Sequence, residues 1–320
     1  MEATGKKQSI TAGAIYRKYG IFLIFIAMFI VSALINKNFL KPQNLLNILK
    51  QTSVVTIIAC AQTLLIVSGM IDLSAGLVCT LSAVFSAGVL ASTGSIPLTF
   101  MVGIGIGMLT GWVNGFLVTR YKLQPFIATL AMMNVAKGIT QVYTGGSAVN
   151  GVEKIRWLGH GSLGFIPVPV IVMLLTVAVV FLVMKHTKFG LYIYSIGGNE
   201  NATIASGINV DKKKRGIFTL AGALVGLSGI VLMARLMSGQ PSVGAGYEFD
   251  AITAVIVGGT SFLGGIGNVA GTLVGAIIVG LINNILNLLN VSTQYQLIVK
   301  GVLIAGAVIL DTKTKSSKQN

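Results

Sequence analysis

Apolar residues in this chain fall in long continuous runs, not in alternation, and short polar stretches separate the runs. The runs cover residues 20–35, 54–71, 75–91, 97–118, 125–143, 167–184, 217–236, 251–263, 270–289 and 297–310. A hydrocarbon core about 30 Å thick takes roughly 20 apolar residues per helix. The pattern therefore predicts an all-α, polytopic membrane protein with about ten transmembrane helices. Outer-membrane barrels read as short alternating segments, which these Leu-, Ile- and Val-rich runs are not. The first run is followed by NKNFLKPQN, with no small-residue cleavage site, and is expected to be retained as a span.

Composition supports the pattern: 54% of the 320 residues are hydrophobic and 10% are charged. The net charge of +15 acquires meaning once the runs are placed. With the amino terminus in the cytoplasm, Lys6, Lys7, Arg17, Lys18, Arg120, Lys122, Lys185, Lys188, Lys212, Lys213, Lys214, Arg215, Lys313, Lys315 and Lys318 all fall inside. Only Lys37, Lys41, Lys50, Lys154 and Arg156 fall outside, which is the asymmetry of the positive-inside rule. Both termini are then cytoplasmic. The expected organisation is one transmembrane domain over 1–320, with a cytoplasmic tail at 1–18, a cytoplasmic loop at 185–216 and a second tail at 311–320. The basic residues are scattered over short loops and form no stripe interleaved with aromatics, which argues against nucleic acid as a partner. No segment between spans is long enough for a nucleotide-binding domain.

Glycine is the second organising signal, with 40 in the chain. Gly103, Gly107, Gly111 and Gly115 recur every fourth residue and so line one helix face, where they let another backbone approach closely. Gly267, Gly271 and Gly275 repeat the device. GWVNG at 111–115 and GLINN at 280–284 form a faint echo, the basis for a possible internal repeat of the kind transporters carry. GIGNVAG has the spacing of a dinucleotide fingerprint but no βαβ context. Cys60 and Cys79 lie in or beside spans and read as inert buried thiols. His160 and His186 have no neighbouring ligand residues, and no Ser/His/Asp set is placed at membrane depth, so neither a metal site nor a hydrolase is supported.

The polar stretch YSIGGNENATIASGINVDKKKRG at 194–216 interrupts the greasy pattern. Asn199 is suited to cap a helix, Glu200 sits where the helix dipole favours an anion, and Gly207 suits a left-handed terminator. A short surface helix followed by a basic cluster is predicted. Two roles fit it: an orientation signal, or a rigid knob presented to a cytoplasmic partner.

This stretch, with SGMIDLSAG at 68–76, QPFIATLAMM at 124–133, VYTGGSAVN at 142–150 and GYEFDAITAVIVGGTSFLGGIGNVAGTLVGA from Gly246, resembles the permease subunits of bacterial ribose-type (monosaccharide) ABC importers. The resemblance runs from about Asn38 to Asp311. It implies a homodimer in the bacterial inner (plasma) membrane, a cytoplasmic ATPase that uses ATP and Mg, and a periplasmic or lipid-anchored sugar-binding protein. The chain itself would be no enzyme and would bind no cofactor. The resemblance places Gly197, Gly198, Asn199, Glu200, Ala202 and Gly207 in the loop that meets the ATPase. The wider superfamily has Glu-Ala-Ala, three residues and Gly there; this chain has Asn201 in place of the first Ala and four residues before Gly207.

Ionisable and amide residues at membrane depth complete the sequence picture. Asp72 in GMIDLSAG is placed to cap the third span, and Glu248 and Asp250 to cap the eighth. Asn134, Lys137 and Gln141 share one face of the fifth span at spacings of three and four. Asn283, Asn284 and Asn287 make a similar face late in the ninth. Each face suits either a polar pathway lining or helix pairing. The competing function is an ion-coupled secondary transporter of a small polar solute, with Asp72 or Lys137 as relay. A membrane-embedded enzyme ranks behind it.

Overall fold

The computed structural model describes residues 12–316. Residues 1–11 and 317–320, with Lys6, Lys7 and Lys318 of the terminal basic clusters, lie outside the described residues. Helices occupy all ten apolar runs: α1 (Ala12–Ile35), α2 (Pro42–Val67), α3 (Ala75–Thr93), α4 (Ile96–Arg120) and α5 (Pro125–Thr144) come first. A 3-10 turn at Glu153–Ile155, α6 (Arg156–His160) and a two-strand hairpin follow. In the hairpin β1 (Ser162–Leu163) pairs antiparallel with β2 (Ile166–Pro167). The chain continues through α7 (Val168–His186), α8 (Lys188–Gly198), α9 (Glu200–Ala205), α10 (Val210–Leu236), α11 (Tyr247–Val257), α12 (Val269–Leu288) and α13 (Thr293–Ser316).

Prolines in the first turn start α2, α4, α5 and α7, where the missing N–H costs no hydrogen bond. Left-handed Gly94 and Gly145 end α3 and α5. Among the described residues, α2, α3, α4, α7, α10 and α12 are long and apolar enough to cross a membrane. α5 and α13 have comparable lengths but carry Asn134, Lys137 and Gln141 on the one and Gln294, Gln296 and Lys300 on the other.

The eighth run departs from expectation. The helix there starts early, at Tyr247, and stops at Val257, so α11 has only 11 residues. At 1.5 Å per residue it rises about 16 Å, half a bilayer core. Glycines at both ends account for this: Gly246 takes a φ of +92° before the helix, and Gly259, Gly264 and Gly265 take left-handed φ values after it. Helix extends into the expected tails and loop: residues 12–18 belong to α1, α13 runs to Ser316, and most of 185–216 is helical.

Every residue of α2 from Thr52 to Val67 is buried, so this helix is the hub, with α7, α10, α11 and α12 packed around it. The glycine stripe of α4 lies on α10. A Cβ on Gly107 would sit 2.1 Å from Gly222 O, and one on Gly222 would sit 2.0 Å from Gly107 O. Ser82 Oγ of α3, 2.9 Å from both Gly103 O and Gly226 O, pins the seam from a third side. A second seam joins α12 to α11: a Cβ on Gly271 would lie 2.1 Å from Gly258 O, and one on Gly275 would lie 2.0 Å from Ala254 O. Gly267 stands apart from that stripe, before α12 begins, against Val67 and Thr260.

Candidate functional site

Between α7 and α10 the chain builds a capped knob. Thr187 starts α8 by accepting from Gly190 N at 3.2 Å. Asn199 Oδ1 accepts from Ala202 N at 2.9 Å and starts α9. Gly207, at a φ of +79°, follows its end. Glu200 is held by Lys214, whose Nζ lies 2.7 Å from both carboxylate oxygens, so the basic cluster at the start of α10 braces the knob. On α9, Thr203 faces inward while Ala202 and Ile204 are exposed. The six sequence-selected residues Gly197, Gly198, Asn199, Glu200, Ala202 and Gly207 thus belong to one short, internally fastened unit.

The root of the knob is a backbone junction that the sequence did not announce. Gly265 N donates to Val67 O at 2.8 Å, joining the α11–α12 connection to the end of α2. Gly197, at the end of α8, presses against both: a Cβ there would lie 1.8 Å from Val67 O and 2.7 Å from Gly265 N. Tyr194 OH donates to Gly267 O at 2.9 Å on the same face. Three segments distant in sequence therefore meet at backbone distance immediately before α9.

A buried polar cluster surrounds the turn between α2 and α3. Asp72 Oδ1 accepts from Ser74 N at 2.7 Å and from Ser74 Oγ, closing an Asx-type turn that leads into α3. Gln62 Nε2 donates to Asp72 O. Leu73 N donates to Thr129 Oγ1 at 3.1 Å, and Asn114 Nδ2 to Ser74 Oγ at 3.2 Å. Side chains of α2, α4 and α5 thereby satisfy a non-helical turn, as such backbone at membrane depth requires. Glu248 accepts from Gly246 N with both oxygens at 3.1 Å and so closes the start of α11.

Asp250 departs from the capping expectation. It lies inside α11, with both carboxylate oxygens 2.9 Å from Lys300 Nζ of α13, and it accepts from Asn283 Nδ2 of α12 at 3.2 Å. Its carboxylate needs two polar donors because it is only 4% exposed.

The two expected polar faces also separate. Asn283, Asn284 and Asn287 each bind a different neighbour: Asn283 binds Asp250 on α11, and Asn284 exchanges amide bonds of 3.1 and 2.9 Å with Asn44 on α2. Asn287 Oδ1 accepts from Gln296 Nε2 of α13 at 2.9 Å. These amides hold helices together. Asn134, Lys137 and Gln141 share one exposed face of α5, and Asn134 donates only to its own helix, to Leu130 O at 3.0 Å. The opposite face, with Ala128, Met132, Ala136 and Thr140, carries the packing against α3 and α4. Lys300, Gln62, Asn114, Thr129 and Asn44 went unselected in the sequence. Opposite charges at membrane depth, Asp250 and Lys300, were the one available signal of a pairing.

Comparison with known proteins covers nearly all of these features. A family model described as "Branched-chain amino acid transport system / permease component" matches residues 44–308, from α2 into α13. The chain is 43% identical to the ribose import permease protein RbsC of Bacillus subtilis (strain 168), over 96% of this chain and 97% of that protein. It is 42% identical to RbsC of Escherichia coli (strain K12), over 96% and 97% of the two chains. To the D-allose transport system permease protein AlsC of Escherichia coli (strain K12) it is 36% identical, over 96% and 95%. No solved structure matches the chain. With the knob, the buried turn and the Asp250–Lys300 pair all inside the matched region, the chain belongs to this family of transport-system permease components.

Proposed function

We propose that the chain is the membrane-spanning permease subunit of an ATP-driven importer, that its cargo is a monosaccharide, and that ribose is the sugar to test first. The carrying observation is the α8–α9 knob: a capped, ion-paired helix with Ala202 and Ile204 exposed, rooted on a junction of three backbone segments. A gradient-driven carrier needs no such projection. The ion-coupled alternative also loses its acid, because the Asp72 carboxylate is engaged within its own turn by Ser74.

In this reading a separate ATPase binds ATP and Mg and drives α9, and a periplasmic or lipid-anchored binding protein delivers the sugar. A second copy of the chain covers the exposed polar face of α5. Asn134, Lys137 and Gln141 then line a route between the copies, where amide and ammonium groups exchange hydrogen bonds with sugar hydroxyls. Such a face suits a polyol better than the branched aliphatic side chains in the family model's description. The relatives' names point the same way, and identity is higher to the ribose proteins than to the allose protein. Ten crossings of a bacterial inner membrane, nine by full helices and one by the half-length α11 together with the 258–268 connection, and both termini cytoplasmic, complete the proposal. The two glycine-led breaks, after α2 and after α11, are the features on which an internal repeat would rest.

Proteoliposomes containing the chain, its ATPase and its binding protein provide the test. ATP-dependent accumulation of labelled ribose, with no accumulation of leucine, is expected. Uptake that follows an imposed proton or sodium gradient and ignores ATP refutes the proposal.

A further inference from the structure

A cavity of about 490 Å³ opens where α7, α8 and α12 converge, within the range of roughly 300–1,000 Å³ that small-molecule sites occupy. Its lining is layered along α7. Phe181 and Met184, with Leu191 of α8 and Val269 of α12, form apolar walls, and Lys185, one turn past Phe181, forms a polar rim with Thr187 and with Asn268. The cavity thus passes from the apolar level of a membrane-length helix to its polar end. Leu175, Val179 and Leu182 stand exposed on the adjoining face of α7, at 54–61% of full accessibility, so the approach to the cavity is through an oily surface.

The charge at the rim has one sign. Lys185 Nζ is held 5.2 Å from the centroid of the Phe181 ring, over the cavity wall. No Asp or Glu occurs in the sequence between Glu153 and Glu200, and among the described residues no ion pair includes Lys185 or Lys188. An occupant must therefore join an apolar body to a negatively charged head and reach the site from the bilayer.

We propose that this cavity binds an anionic phospholipid, with acyl chain along Phe181, Met184, Leu191 and Val269 and phosphate against Lys185. A lysine at a membrane surface gives anionic over neutral headgroups a preference of roughly fivefold. The bound lipid fills the gap between α7 and α12 and rests on α8, the helix that leads into the knob.

The full chain, purified in detergent and titrated with phosphatidylglycerol or phosphatidylcholine, tests this by native mass spectrometry of the lipid adducts. The wild type should retain phosphatidylglycerol about fivefold more strongly than phosphatidylcholine. Lys185→Glu should abolish the preference, Lys185→Gln should reduce it, and Lys37→Glu, on an exposed residue away from the cavity, should keep it. Leu191→Asp should lower retention of both lipids. Competition by inorganic phosphate alone at the same concentration, or an unchanged preference in Lys185→Glu, overturns the proposal.

Discussion

Replacing Lys300 with Met should be the most damaging single change at the α11–α12–α13 contact. The two partners of this ion pair are unequally placed: the Asp250 side chain is 4% exposed and the Lys300 side chain 22%. Without Lys300, the carboxylate stays enclosed with one donor, Asn283 Nδ2 at 3.2 Å. Stranding one member of a buried pair costs about 3–5 kcal/mol. Asp250→Asn is milder, because the Lys300 ammonium can turn toward its exposed side and the new amide still offers an oxygen to Asn283. About 1.5 kcal/mol is expected for that loss, the low end for a hydrogen bond to a charged group. The double variant Asp250→Asn/Lys300→Met leaves no orphaned charge and should resemble Asp250→Asn alone. The two changes should therefore be non-additive by about 3–5 kcal/mol, the whole cost of Lys300→Met, which is at or above the top of the range of about 0.5–3 kcal/mol seen for interacting neighbours. Equilibrium unfolding of the four proteins in mixed detergent micelles, with proteolysis of α13 as a local readout, measures the cycle. Single effects that simply add, or a Lys300→Met variant as stable as Asp250→Asn, refute the assignment of a buried, mutually dependent pair.

Three further outcomes follow from the backbone contacts and the topology. Gly107→Leu should prevent stable insertion, because its Cβ would meet Gly222 O at 2.1 Å, whereas Gly105→Leu, with nothing within 4 Å, should yield wild-type amounts of folded protein in size-exclusion chromatography. Gly197→Ala should destabilise by about 1–3 kcal/mol through overpacking against Val67 O and lower transport per ATP hydrolysed, while Gly198→Ala, in open space, should do neither in a coupled uptake assay. With Cys60 and Cys79 replaced, a cysteine at exposed Phe165 should react with impermeant reagent added outside cells and one at exposed Ser206 should not; reaction of both from one side removes the proposed topology.

What the sequence makes legible is what local chemistry decides. The cap at Asn199, the terminator at Gly207 and the starts beside Pro97 and Pro125 depend on residues within a few positions, and each stands where the pattern places it, whereas α2 starts at Pro42, well before the apolar run at 54–71. The spacing of Gly103, Gly107, Gly111 and Gly115 also announces a close helix partner, because period and residue size are both local properties. The partner itself, α10, is set by tertiary packing. The same limit governs the amides: spacing puts Asn283, Asn284 and Asn287 on one face, but three different neighbours claim them, through Asp250, Asn44 and Gln296. Asp250 misleads for a related reason. An acid near a helix start reads as a cap, yet Glu248 already takes the free N–H of Gly246, which leaves Asp250 to find its donors across the helix interface.

The half-length helix α11 shows why these two levels must be read together. An apolar run reads as one span when hydropathy alone is considered, and residues 251–263 are apolar throughout apart from Thr253, Thr260 and Ser261. The glycines at 258, 259, 264 and 265 break that run, and a break at membrane depth is stable only where protein satisfies the freed backbone groups. Here Val67 O accepts from Gly265 N, Ile266 O accepts from Ser261 N, and Gly197 leaves room for the approach by lacking a Cβ. The break after α11 and the end of α8 thus depend on each other: neither backbone could come this close with a side chain at Gly197. On the proposed coupling role, this dependence gives α9 a direct connection to the membrane interior. A displacement of α9 pulls on Gly197, Gly197 bears on Val67 and Gly265, and the connection at 258–268 leads back through α11 to Asp250 and its hold on α12 and α13. The knob and the intramembrane ion pair are then two ends of one mechanical element, built from glycine contacts where a side chain would have kept them apart.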